Sequence, residues 1–234
     1  PGTASWKFGE SGGVALGNAT GISSSFVFPN AGKYIVILYA QLTNGAVCIV
    51  VDSVDVEASA QFSQVLACPG DSTFFTDEST RLPEADIVNW QWDFGLAGNA
   101  DTSTTASPGH PYAAAGNYAA TLTVTTASGC TSTFTDNVFV PAPPAPAFAQ
   151  PAANCVNNAT AFSPSPPADF VAVKWDFGDP ASANLNTSEA RVAYHKFTPA
   201  GNYNVALTAT NIYGCKATFS QPVTITPNPF SGNI

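Results

Sequence analysis

The chain has 234 residues, only 10% of them charged, with 7 basic against 16 acidic side chains and a formal net charge of -9. A chain this poor in Lys and Arg cannot neutralise a run of phosphates, which excludes nucleic acid and an anionic membrane surface as ordinary partners. Nor is there an uninterrupted apolar run of transmembrane length, because the closest, Tyr34 to Val51, is broken by Gln41, Thr43, Asn44 and Gly45.

The same design recurs three times along the chain. Copies begin at Trp6-Lys7-Phe8-Gly9, Trp92-Asp93-Phe94-Gly95 and Trp175-Asp176-Phe177-Gly178, so their starts lie 86 and 83 residues apart. An aromatic, a Gly and a Tyr then follow in phase as Phe28, Gly32 and Tyr34, as Tyr112, Gly116 and Tyr118, and as Phe197, Gly201 and Tyr203. Independent landmarks on one period of about 85 residues indicate repeated small domains, each with its own core.

Residues 1–57 form a first repeat that starts at its tryptophan strand and lacks the strands expected before it. Trp6 and Phe8 alternate on a short strand, and Tyr34 to Leu42 is a second strand ended by the Thr43-Asn44-Gly45 turn. This strand is apolar on both faces: Tyr34, Val36, Leu38 and Ala40 point one way, Ile35, Ile37 and Tyr39 the other. Such a strand is expected to be covered on both sides, which marks Ile35, Ile37 and Tyr39 as an interface with the strands expected before this repeat, another domain or another chain.

Residues 58–142 form the first complete repeat. Val88, Trp90, Trp92 and Phe94 share one parity and are the expected core strand, with Tyr118, Ala120, Leu122 and Val124 facing them. Ser128-Gly129 makes a hairpin turn before the last strand. This repeat carries eight carboxylates against Arg81 alone. The proline-rich segment 141–146 is a semi-rigid spacer. Residues 143–227 repeat the plan, with Val171, Val173, Trp175 and Phe177 facing Tyr203, Val205, Leu207 and Ala209, and residues 228–234 are a tail or the start of another domain. The expected structural core is therefore Trp6, Trp92, Trp175, Phe94, Phe177, Tyr34, Tyr118 and Tyr203. About seven short strands per complete repeat, without a sustained helical period, predict an all-β chain of tandem immunoglobulin-like β-sandwiches.

Cys68 and Cys130 fall in one repeat and Cys155 and Cys215 in the next, 62 and 60 residues apart. These matching separations predict one disulfide inside each complete repeat and an oxidising compartment. Cys48, matched with Cys130 and Cys215, is left unpaired.

Several motifs together resemble the PKD domain. They are Trp-Asp-Phe-Gly at 92–95 and 175–178, His110-Pro111-Tyr112 and His195-Lys196-Phe197, Gly-Asn-Tyr at 116–118 and 201–203, and the Gly-Cys turns. Cys68-Pro69-Gly70 and Gly129-Cys130 are similar to the cysteine-bridged variety in large surface proteins of Bacteroidetes-type bacteria. The resemblance implies an extracellular or cell-surface location and a non-catalytic spacer repeat in an adhesin or surface filament; its alternative is an accessory module binding polysaccharide or protein in a secreted multidomain hydrolase. Partners would then be neighbouring PKD-like domains or other copies of the chain, with a polysaccharide or protein ligand under the alternative. The tail at 227–232 also resembles the opening of a sorting domain for type IX secretion. Two departures stand out: Phe26 replaces the histidine in the first repeat, and Leu96 follows Gly95 where Asp179 follows Gly178.

Nothing in the chain has the pattern of a catalytic or phosphate-binding motif, and carboxylates that change from copy to copy offer no shared cleft, so no enzyme activity is expected. No cofactor is expected. Asp176 and Asp179 are weak calcium candidates, short of the six or more oxygens that ion needs. His110 and His195, in one register, are expected to be structural, donating to a buried carbonyl. Asp93 and Asp176 are expected to accept backbone hydrogen bonds in the loop that follows them.

Overall fold

The computed structural model describes residues 3–97, 101–152, 154–165 and 170–228. Among the described residues it is all-β apart from one short 3-10 turn, Pro180–Leu185. Strands β1 (Thr3–Glu10), β2 (Ala15–Thr20), β3 (Gly32–Gln41) and β4 (Val47–Val56) form one antiparallel sheet in the order β2-β1-β3-β4. Trp6 lies opposite Leu38 and Phe8 opposite Val36, so the tryptophan strand is central. Phe8 and Tyr34 are buried, whereas Trp6 is only half-buried. Among the described residues before 57 no second sheet faces this one. That is why Trp6 falls short of the burial expected for a core tryptophan.

The next stretch contains β5 (Ala58–Ser59), β6 (Phe62–Val65), β7 (Ser72–Asp77), β8 (Thr80–Arg81), β9 (Ile87–Asp93), β10 (Thr102–Ser103), β11 (Gly109–Pro111), β12 (Gly116–Thr126) and β13 (Thr131–Val140). A sheet ordered β10-β9-β12-β13 matches β2-β1-β3-β4 strand for strand, and β11-β7-β6 forms a second sheet. Phe62 of β6 and Phe75 of β7 meet Trp92 of β9 at ring-centroid distances of 5.1 and 5.3 Å. Trp92, Leu122 and Val124 are fully buried. The parity reading fails at Val88, which is exposed, because the β9–β12 register slips between Thr125 and Thr126 and skips that residue.

The last stretch holds β14 (Ala147–Phe148), β15 (Asn154–Cys155), β16 (Ala159–Phe162), β17 (Pro164–Ser165), β18 (Ala172–Asp176), β19 (Thr187–Ser188), β20 (Ala193–Lys196), β21 (Gly201–Thr210) and β22 (Lys216–Thr226). Its larger sheet runs β15-β22-β21-β18-β19, with β15 parallel to β22. Trp175, Phe177, Phe162, Phe197, Val205 and Leu207 form the centre of one core, while Val171 lies before β18 and is exposed. Tyr118 and Tyr203 are half-buried rather than fully internal, and the Tyr203 hydroxyl donates to Pro199 O at 2.6 Å just as Tyr34 donates to Asn30 O at 2.7 Å. Each phenol thus bonds the backbone four residues upstream and fixes the corner that leads into its strand.

The chain divides into two compact units. The described residues of one fall in Pro1–Val65, Thr73–His110 and Asn117–Val138, and those of the other in Leu66–Ser72, Pro111–Gly116 and Phe139–Ile234. Of the tail motif at 227–232, residues 229–232 lie outside the described residues.

Candidate functional site: a loop clip and a sulfur bridge

Every tryptophan strand is tied to the connection that follows it. The indole Nε1 of Trp6, Trp92 and Trp175 donates to Gly21 O, Thr105 O and Ala190 O at 3.0, 2.9 and 3.1 Å. A buried indole must satisfy its N–H, and doing so on a loop carbonyl fixes that loop. One residue further on, Asp93 Oδ1 accepts from Gly95 N and Asp176 Oδ1 from Gly178 N, both at 2.9 Å. Gly95 and Gly178 have φ of +80° and +66°, and a Cβ there would lie 2.7 and 2.6 Å from the carbonyl oxygens of Ala119 and Asn204. Backbone handedness and crowding both require glycine at these two places.

Beneath the loop, His195 stacks on Phe177 at 4.4 Å, and its Nε2 lies 3.0 Å from Asp179 Oδ2, with both side chains almost fully buried. The partner is a carboxylate, not the carbonyl expected, so Nε2 is the nitrogen that carries the proton. In the preceding repeat His110 stacks on Phe94 at 4.2 Å, and Asp101 takes the carboxylate role with Oδ1 at 3.2 Å from His110 Nε2, although the two are not aligned as a hydrogen bond. Leu96, which occupies the place of Asp179, donates its N–H to Asp101 Oδ2. The chain has moved the acid from the residue after Gly to the far side of the loop. Burial pushes the His110 pKa below the ordinary histidine value, and Asp101 opposes that shift. In the first sheet Phe26 stacks on Phe8 at 4.5 Å and 9°, so the replacement keeps the ring stack and discards the acid.

Asp176 and Asp179 are therefore already employed: Asp176 Oδ1 also accepts from Asn186 Nδ2 at 2.9 Å, and Asp179 faces His195. The acidic residues of the middle repeat are likewise dispersed among separate partners. Asp77 accepts from Trp90 Nε1, Glu78 from Ser63, and Glu84 and Asp86 pair with Lys33 and Arg81. Among the described residues no group of three or more His, Cys, Asp or Glu could hold a metal ion, and no helix is long and apolar enough to cross a membrane.

Ile35, Ile37 and Tyr39 are half-buried and line one shallow hollow with Lys7, whose ammonium sits 5.1 Å above the Tyr39 ring. The matching surface of the complete repeats is polar. There Thr121 pairs with Thr135, Thr123 with Thr133 and Thr208 with Thr218 through their hydroxyls.

The cysteines overturn the expected pairing. Cys68 is bonded to Cys215, with Cα atoms 5.5 Å apart, while Cys48, Cys130 and Cys155 are free. Geometry forbids a Cys155–Cys215 bridge, because Cys155 is the register partner of Thr226 at one end of β22 and Cys215 precedes Lys216 at the other. Eleven strand residues span roughly 35 Å, and a disulfide needs Cα atoms within about 7 Å. Cys48 is also out of register. The turn bonds Gly129 N to Thr126 O and Gly214 N to Asn211 O correspond to Gly45 N to Leu42 O, which puts Ala46, not Cys48, at the place of Cys130 and Cys215.

Two facing sheets, a buried tryptophan at their centre, a tyrosine corner and hairpin-linked edges define an immunoglobulin-like β-sandwich module. A family profile described as PKD domain matches residues 55–140 and 141–227, and the chain belongs to that family. Its modules are non-catalytic. The chain is 38% identical over 73 residues to a microbial collagenase of Vibrio alginolyticus, a match covering 31% of this chain and 9% of the collagenase. Among solved structures it is similar to the PKD1 domain of Vibrio anguillarum Epp, at 31% identity over 37% of this chain and 96% of that one, with a TM-score of 0.33. It is also similar to the PKD1 domain of the Vibrio cholerae metalloprotease PrtV, at 34% identity over 36% of this chain and 98% of that one, with a TM-score of 0.32.

Proposed function

We propose that the chain is a non-catalytic accessory tandem in a secreted multidomain protein of the kind that carries hydrolytic domains, and that its work is to hold the domains beside it at a restrained separation. The observation that carries this reading is the bond between Cys68 and Cys215, which joins a residue of the 55–140 family match to one of the 141–227 match. A covalent tie of this kind supplements the proline spacer at 141–146 and limits motion that the spacer alone would permit. It also fits the oxidising, extracellular location proposed for the chain. Sequence likeness to a collagenase supports the hydrolase setting over an adhesin or filament.

A ligand-binding role, to polysaccharide or protein, would need a flat aromatic platform. Of the side chains suited to one, Trp90 is half-buried and bonded to Asp77, Tyr39 is half-buried under Lys7, and Tyr213 packs edge-on against Phe139 at 5.5 Å. The spacer role is tested by spin labels placed on exposed residues of the two family segments, with distance distributions measured before and after reduction. A broader distribution after reduction, with unchanged circular dichroism, is expected; an unchanged distribution refutes the restraint. Co-sedimentation of the oxidised chain with fibrous collagen or chitin would instead establish the binding role.

A further inference from the structure

The two free cysteines of the complete repeats occupy the same places as the two that are bonded. Cys68 and Cys155 each open a four-residue turn, closed by Asp71 N to Cys68 O at 2.9 Å and Asn158 N to Cys155 O at 3.2 Å. The third residues of these turns, Gly70 and Asn157, both have positive φ, and their N–H groups donate to Tyr112 O and Phe197 O, which are themselves equivalent. Cys130 and Cys215 each close a hairpin turn, accepting from Thr126 N and Asn211 N at 2.8 and 3.0 Å, and both follow a glycine of positive φ. Each complete repeat therefore carries one turn cysteine and one hairpin cysteine. The 141–227 repeat shows that these lie at opposite ends of its long strand. The turn cysteine of the 55–140 repeat, Cys68, is bonded to the hairpin cysteine of the repeat that follows it, Cys215.

We propose that Cys130 and Cys155 are the open halves of the same linkage: Cys155 bonds the hairpin-turn cysteine of another PKD module, and Cys130 bonds the turn cysteine of another. The inference shares the Cys68–Cys215 bridge with the proposed function but not the spacer role, so it stands or falls separately. The cysteines' chemistry and accessibility allow it, since Cys130 is exposed and Cys155, whose Sγ lies 3.6 Å from Thr226 Oγ1, is partly so. Each new bridge removes two protons and two electrons from two thiols. A low-molecular-weight disulfide such as oxidised glutathione accepts them through a mixed disulfide and leaves as two thiols.

The partner module can come from a second copy of the chain or from elsewhere in a longer polypeptide, and two measurements separate these sources. The full chain carrying Cys48→Ser, held in a glutathione redox buffer, is expected to give covalent oligomers in which proteolytic mapping joins the peptide containing Cys155 to that containing Cys130. Adding Cys155→Ser should abolish those oligomers while the Cys68–Cys215 peptide and the circular dichroism persist. In protein taken from its native source, a Cys155 peptide linked to a Gly-Cys hairpin peptide of the same polypeptide assigns the partner to the longer chain. The proposal is overturned if Cys130 and Cys155 are free thiols in native material and the recombinant chain gives no linkage, or only symmetric Cys130–Cys130 and Cys155–Cys155 products.

Discussion

His195 and Asp179 meet through Nε2 and Oδ2 at 3.0 Å inside a core that almost excludes water from both. The carboxylate belongs to the loop and the imidazole to β20, so one contact pins the loop to the strand beneath it. Asp179→Ala would leave a buried imidazole N–H without its partner. Loss of a hydrogen bond to a charged group costs about 1.5–3 kcal/mol, and we expect a fall of that size in the urea unfolding free energy. A change under about 0.5 kcal/mol would show that the contact is incidental.

The matching histidine makes stability depend on pH. Burial lowers the His110 pKa in the folded chain below its reference value of 6.5. The unfolded chain therefore takes up a proton first as pH falls. The contribution is fully present above 6.5 and is lost as pH drops from there through the lowered folded value. His110→Phe, which copies Phe26 of the first sheet, should remove that part of the dependence. Thermal melts of both proteins from pH 7.5 to 4.5 should converge at low pH or cross; parallel curves would refute the assignment.

Gly178 combines a left-handed backbone with a neighbouring carbonyl that a Cβ would meet at 2.6 Å. Gly178→Ala should destabilise its repeat by at least about 2 kcal/mol, since the left-handed conformation alone costs roughly 1–2 kcal/mol. Gly129→Ala, at φ of +91° but with open space around it, should cost less. Equal effects in chemical denaturation would mean that crowding plays no part.

Non-reducing proteolysis of the oxidised chain should release one linked pair of peptides containing Cys68 and Cys215. Recovery of Cys68 with Cys130, or of Cys155 with Cys215, would restore the pairing within repeats. On the chain-entropy account a bridge closing 147 residues contributes about 5 kcal/mol against the fully unfolded chain. Cys215→Ser should accordingly lower the midpoint of global unfolding.

The repeat period, the central tryptophan strands and the hairpin turns were legible because each is written in adjacent residues: Trp-x-Phe-Gly, the Tyr that begins a strand, Gly before Cys. The bridge was not, because separations of 62 and 60 residues fit pairing within a repeat and pairing across repeats equally well. Strand arithmetic could have decided it, since a cysteine that opens an eleven-residue strand cannot reach one registered at its far end. Asp101 was hidden for a different reason. Leu96 breaks the motif, and only folding brings the substitute carboxylate back under Phe94 and His110. Cys48 misled through residue type, where the turn glycine Gly45 was the better ruler.

Tension applied along the backbone would arrive at position 68, cross two sulfur atoms and leave from position 215. The stretch between them, a sequence separation of 147, would bear none of it. At roughly 3.5 Å per residue this withholds about 500 Å of contour from any stretching event, so the strands between those positions are mechanically sheltered until a reductant opens the shortcut.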